Sequence, residues 1–252
     1  MTQPEATAIG RSLRIYYAPG RAAELDAFHT RFLRPGSVAF DIGAHVGDRA
    51  ASFLRLGARV VAVEPQPRLA RLLRLLMRDR IRVERRLVGA RPGTATLHLN
   101  TANPTIATAS TGFIASAAGA AGWEGQRWDA ALTLPVTTLD ALIAAHGTPD
   151  FIKIDVEGYE AEALAGLSGP VPALSFEFTT IQRDVAHACL ARLAALGYRH
   201  FNACLGESMR FAHPAPVGAA AIAAWLAALP HAANSGDIYA SLDPAPLTPG
   251  AR

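Results

Sequence analysis

Between residue 37 and about residue 205, short apolar runs alternate with segments of helical period. SVAFDIG (37–43), RVVAVEP (59–65), RVERRLVG (82–89), TATLHL (94–99), LTLPV (132–136), DFIKIDV (150–156), PALSFEFT (172–179) and YRHFNAC (198–204) read as strands. They are rich in branched and aromatic residues and are bounded by Gly, Pro or Asp. Helices are predicted over DRAASFLRLG (48–57), from Arg68 to Met77, and over TLDALIAAHG (138–147), YEAEALAGL (159–167) and RDVAHACLARLAALG (183–197). An earlier helix carries Leu25, Phe28, Phe32 and Leu33 and stops at Pro35-Gly36. Strand–helix units whose strands are apolar on both faces predict an α/β fold with a doubly wound, mostly parallel sheet. That architecture places ligands outside the carboxyl ends of its strands.

The 252 residues, 50% of them hydrophobic, suit one domain. Residues 1–12 and 243–252 are polar or Pro-rich and are expected to be poorly ordered. The Ala-, Gly-, Ser- and Thr-rich segment 101–125 interrupts the alternation and is expected to be a lid or a surface excursion. Gly218 to Ala228 is Ala-rich, too short to span a membrane, and reads as a packed helix. With no signal peptide and only Cys189 and Cys204, the chain fits a reducing cytoplasm.

Nine arginines lie between Arg68 and Arg91. Arg68, Arg71, Arg74 and Arg78 recur opposite Leu69, Leu72, Leu73, Leu76 and Met77, the pattern of a solvated helix face. No aromatic residues interleave with them, which argues against a nucleic-acid platform. Among 24 basic residues Lys153 is the one lysine, and it stands in FIKIDVEGYE between acids.

Two strand ends carry candidate ligand-binding chemistry. VAFDIGAHVG puts Asp41 at a strand end, with Gly43 and Gly47 in a turn able to bring backbone N–H groups against a ligand, and with His45 at its edge. Glu64 closes the next strand 21 residues after Gly43, where an acid can accept both hydroxyls of a ribose. The turn lacks the G-x-G-x-x-G spacing that seats a pyrophosphate, which weakens a dinucleotide reading.

FDIGAHVG, AVEPQP, LVGARPGTATLHL, VTTLDALI, DFIKIDVEGYEAEALAGL and PALSFEF resemble, in order and spacing, the FkbM-type methyltransferases, over roughly residues 38–205. The resemblance implies a seven-stranded Rossmann-like sheet with its last strands antiparallel. It also implies S-adenosylmethionine as cofactor and O-methylation of a sugar or natural-product hydroxyl. By position, the DIGAHVG turn would hold the methionine part of the cofactor and Glu64 its ribose. Leu87-Val88-Gly89-Ala90 departs from the family's A-V-G-D by lacking the acid, so no side chain is assigned to adenine.

Transfer to oxygen needs the acceptor hydroxyl aligned and deprotonated. In a strand, Phe151, Lys153 and Asp155 face one side, and Ile152, Ile154 and Val156 the other. Three readings of these charges stand open. Asp155 is the base or orients the hydroxyl, with Lys153 keeping it ionised or stabilising oxyanion charge. Alternatively, Asp155 and Glu157 hold a divalent metal, although carboxylates at i and i+2 are a slender signature and no metal ligand is assigned. Or Lys153 pairs with Asp155 while Glu157 and Glu160 favour the start of the next helix. Glu177, at the end of LSFEFT, is a second acid or a partner of Lys153.

A small-molecule or glycan acceptor is the expected partner. Other readings are a nicotinamide-dependent oxidoreductase on a related sheet and a non-catalytic cofactor-binding protein.

Overall fold

The computed structural model describes residues 3–250. Its principal strands are β1 (Val38–Ile42), β2 (Arg59–Val63), β3 (Ile81–Glu84), β7 (Phe151–Ile154), β8 (Ala173–Thr179), β9 (His200–Leu205) and β10 (Ser235–Ser241). They form one sheet in the order β3-β2-β1-β7-β8-β10-β9. The pairs from β3 to β8 are parallel, and β10 runs against both of its neighbours. After β3 the chain returns to the other side of β1, so the order reverses between β1 and β7. That reversal is where open α/β sheets bind ligands.

Both faces of the sheet are covered, as its apolar strands require. Helices α2 (Arg21–His29), α3 (Asp48–Arg55) and α4 (Pro67–Met77) cover one face, with Phe28, Phe53 and Leu73 packed on Ala39, Phe151 and Tyr239. Helices α6 (Leu139–His146), α7 (Glu160–Ala165), α8 (Arg183–Ala195) and α9 (Ala219–Ala228) cover the other, over Phe40, Ile152, Phe176 and Ile238. Phe151 thus faces one layer while Ile152 and Ile154 face the opposite one. The Ala-rich helix is α9, packed through Ile222 and Leu226.

The structure corrects four expectations. RVERRLVG is two strands: β3 ends at Glu84, and β4 (Leu87–Val88) joins a second sheet with β5 (Gly93–Leu99) and β6 (Ala130–Thr137). Arg85 and Arg86 carry the chain between the two sheets, and Leu87, Leu97 and Leu134 form a small core beneath the second. The polar N-terminus forms α1 (Gln3–Tyr16), because Ala8 and Ser12, one turn apart, are both buried. The Pro-rich C-terminus turns back at Ala245–Leu247, burying Leu247 against the α2 side; residues 1, 2, 251 and 252 lie outside the described ones. On α4 the buried face is Leu69, Ala70, Leu73 and Met77, whereas Leu76 is exposed.

Candidate active site

A cleft of about 850 Å³, its open mouth included, lies at the carboxyl ends of β1, β2 and β7. Each strand end contributes the residues that follow it: Gly43 to His45, Glu64 to Gln66, and Asp155 to Glu157.

The glycine turn is built by close backbone approach. The amides of Gly43 and Ala44 both donate to the carbonyl of Val63, at 2.9 and 3.0 Å, and the Asp155 amide donates to Ile42 at 2.9 Å. Gly43 has φ +84°, and a Cβ there would stand 1.7 Å from the carbonyl oxygen of Asp155. Only glycine fits both constraints. At Gly47 a Cβ would meet Leu73 and Met77 at 2.4 and 2.6 Å, so this residue lets α3 start tight against α4.

The turn's side chains divide their work. Asp41 is buried and accepts the Ala50 amide at 3.0 Å, satisfying a free N–H in the first turn of α3; burial lifts its pKa to about 7. The His45 amide donates to Glu64 Oε2 and the Gln66 amide to Glu64 Oε1, each at 2.8 Å. Glu64 is thereby fixed at the cleft wall, each oxygen keeping a lone pair free, and burial raises its pKa to about 8. The His45 ring packs edge-on against Tyr16 at 5.5 Å between centroids, and burial holds its pKa down to about 4.

On the chemistry side, sheet register sets a polar row on the face of α2 and α3. Asp41 pairs with Lys153 and Lys153 with Ser175, while Glu177 stands opposite Asp237 one step further along. Lys153 is 4% exposed, and its ammonium donates to Asp155 Oδ2 at 2.8 Å and to Asp237 Oδ1 at 3.3 Å. Burial works against this ammonium, but Asp155 and then Asp237 outweigh it and hold its pKa well above the ordinary lysine value. The partners of Lys153 are therefore Asp155 and Asp237, and no hydrogen bond joins it to Glu177.

Glu157 is 7% exposed with φ +54°, and its carbonyl accepts from Thr108 Oγ1 at 2.6 Å. Burial, then the charge of Asp155, pushes the pKa values of Glu157 and Glu177 well above the carboxylate range. One carboxylate oxygen from each of Asp155, Glu157 and Glu177 lies within 4.8 Å of the other two. Glu160 is structural: its Oε1 accepts the amides of Val156 and Gly158, at 2.9 and 3.3 Å, and closes the loop before α7.

Several residues of the site went unread in the sequence. Asp237 lies on β10, a strand the pattern did not predict. Arg49 is buried, with Asp48 at 2.5 Å and Glu207 as its other partner; Arg21 meets Glu207 at 2.5 Å as well, joining α2, α3 and the loop after β9. Asp48 and Arg49 follow Gly47 directly, which was the available signal. Tyr16, from α1, also reaches the cleft. Segment 101–125 supplies Thr105, Ala107 and Ala109 to the cleft wall, and it is anchored by Phe113 of α5 (Thr111–Ala117), which is fully buried.

No curated protein matches the chain. Among solved structures it is similar to a TehB-like SAM-dependent methyltransferase from Corynebacterium glutamicum, at 10% identity and TM-score 0.48, over 92% of this chain and 95% of that one. It is also similar to a precorrin-6y C5,15-methyltransferase from Geobacter metallireducens, at 12% identity and TM-score 0.42, over 87% and 86% of the two chains. The model of the FkbM methyltransferase domain matches residues 41–199, from Asp41 of the glycine turn past Glu177. By that match across more than half its length, the chain belongs to the FkbM methyltransferase family and takes S-adenosylmethionine as its methyl donor.

Proposed function

We propose that this methyltransferase acts on a hydroxyl group of a sugar or natural-product scaffold, with Asp155 receiving the hydroxyl proton. The observation that carries the reading is the Lys153–Asp155 pair in the cleft wall, joined to the glycine turn through the contact between Gly43 and the Asp155 carbonyl.

The residues present fit the donor. The turn at Gly43 leaves no room for a side chain, Glu64 presents free lone pairs to a pair of hydroxyls, and Leu87, Val88 and Leu97 give an apolar wall against which a flat base can lie. When bound, S-adenosylmethionine supplies an electrophilic methyl group.

The chain's own residues then have three tasks. The glycine turn and Glu64 hold the donor side, so that the acceptor enters from the side of Asp155 and Glu157. Asp155 orients the acceptor hydroxyl and takes its proton as the new ether bond forms. Lys153 and Asp237 fix the rotamer of Asp155, Lys153 being gripped from both sides and unable to swing away. Thr105, Ala107 and Ala109 contribute part of the cleft wall.

A panel of hydroxylated sugars and glycosylated natural products, assayed by release of S-adenosylhomocysteine and a one-methylene gain in product mass, tests this. Methylated oxygen is expected; turnover confined to nitrogen or carbon acceptors would overturn the reading.

A further inference from the structure

We propose that the carboxylates of Asp155, Glu157 and Glu177 bind one divalent cation of the Mg²⁺ and Mn²⁺ class on the acceptor side of the cleft. One oxygen from each lies within 4.8 Å of the others. Two oxygens on such a cation stand about 2.9 Å apart when adjacent and about 4.2 Å when opposite, given metal–oxygen distances of roughly 2.0–2.1 Å. A single ion would therefore require the three carboxylates to draw together slightly. Their backbones hold set positions: Asp155 follows β7, Glu177 pairs in register with Asp237 on β10, and Glu157 is tied by Thr108.

A second observation points to a ligand. The Glu157 side chain is more than nine-tenths buried and directed into the cluster, yet its carboxylate makes no hydrogen bond or ion pair with any described residue. Glu177 Oε2 is buried and likewise has no hydrogen-bond partner among the described residues. Buried carboxylates are costly unless paired, protonated or bound to metal.

The nearby cations are committed elsewhere. Lys153 is directed at Asp155 Oδ2 and Asp237 Oδ1, which leaves Asp155 Oδ1 free, and Arg49 is held by Asp48 and Glu207. One ammonium thus faces Asp155, Asp237, Glu157 and Glu177. The donor set is oxygen only, with no histidine or cysteine in the cluster, which selects hard cations over zinc or copper. Cations of this class keep positions for water and substrate oxygens, and Asp155 and Glu157 line the cleft where an acceptor would arrive.

The role of the ion rests on the methyl-transfer reading: it would take the acceptor oxygen and make its hydroxyl more acidic, easing the demand on Asp155. Its binding does not depend on that reading.

The test is titration of the chelator-treated protein with Mn²⁺ alone, followed by electron paramagnetic resonance and by melting temperature, beside a separate titration with S-adenosylhomocysteine. One saturable Mn²⁺ site that raises the melting temperature is expected. Glu177→Gln and Glu157→Gln are expected to weaken Mn²⁺ at least about tenfold while leaving S-adenosylhomocysteine affinity unchanged. Glutamine matches glutamate in shape, so the metal-free variants should melt close to wild type, which separates lost ligation from misfolding. Wild-type protein that binds S-adenosylhomocysteine but shows no saturable Mn²⁺ site, or variants that bind Mn²⁺ as wild type does, would overturn the cation and leave the methyltransferase intact. Failure to bind S-adenosylhomocysteine would count against the methyltransferase reading instead.

Discussion

Lys153 on β7 and Asp237 on β10 are 84 residues apart in the chain and meet at 3.3 Å beneath the cleft. β10 is not hydrogen-bonded to β7; β8 lies between them, and the pair reaches across Ser175. The lone lysine is therefore a bridge between a residue facing the cleft and one wholly inside the sheet.

That bridge predicts intolerance to a change that keeps the charge. Lys153→Arg puts a wider, planar cation into a fully packed position, where overfilling costs about 1–3 kcal/mol. Transfer should fall sharply with S-adenosylhomocysteine affinity retained, and calorimetry with a turnover assay checks both. Lys153→Met, which leaves Asp155 and Asp237 facing each other without their cation, should cost about 3–5 kcal/mol of stability. An arginine variant with wild-type kinetics would mean that the ammonium's shape has no role.

Gly43 makes a second prediction. Gly43→Ala requires a left-handed backbone for alanine, about 1–3 kcal/mol by itself, and also forces the Asp155 carbonyl away from a Cβ that would stand at 1.7 Å. Binding of S-adenosylhomocysteine and transfer should be lost together, because the contact joins the two halves of the site. Gly36, with φ +88° and nothing near its absent side chain, is the control: alanine there should cost stability alone.

Glu64 predicts a pH dependence. Its pKa in the folded protein is about 8 against 4.5 for the ordinary group, so the folded protein holds a proton that the unfolded chain releases between those values. Stability from this group is therefore present at low pH and declines as pH rises from 4.5 through about 8. Accepting two ribose hydroxyls requires the ionised form. Cofactor affinity should accordingly increase with pH, by up to about tenfold per unit, and level off above pH 8. Glu64→Gln should remove the part of that rise near pH 8; Asp41, with a pKa of about 7 in the same cleft, titrates separately. A wild-type affinity independent of pH from 6 to 9 would contradict the ribose role. His45, neutral above about pH 4, should contribute no step in this range.

The side of the cleft proposed to hold the cofactor was readable in the sequence because its chemistry is contiguous. Asp41 to Gly47 and Glu64 are each attached to a strand whose apolar run announces it, and a parallel sheet brings those strand ends together. Lys153 and Asp155 were placed on one face by the two-residue period alone. What stayed hidden depends on contacts distant in the chain. β10 is rich in Ser, Gly, Asp and Ala rather than branched residues, and it is a strand because β8 and β9 flank it and Lys153 neutralises its buried Asp237. Arg49 could be buried only because Asp48 and Glu207 converge on it from α3 and from the loop after β9. Helix α1 was missed because its packed face is as small as Ala8 and Ser12, too slight a pattern to stand out from a polar terminus.

Asp155→Asn compared with wild type is the most direct test of the account, measured as S-adenosylhomocysteine affinity and as methyl transfer to a hydroxylated acceptor in the same preparations. The account predicts nearly unchanged affinity and transfer reduced about a hundred- to ten-thousand-fold. Full transfer by the Asp155→Asn protein would contradict it.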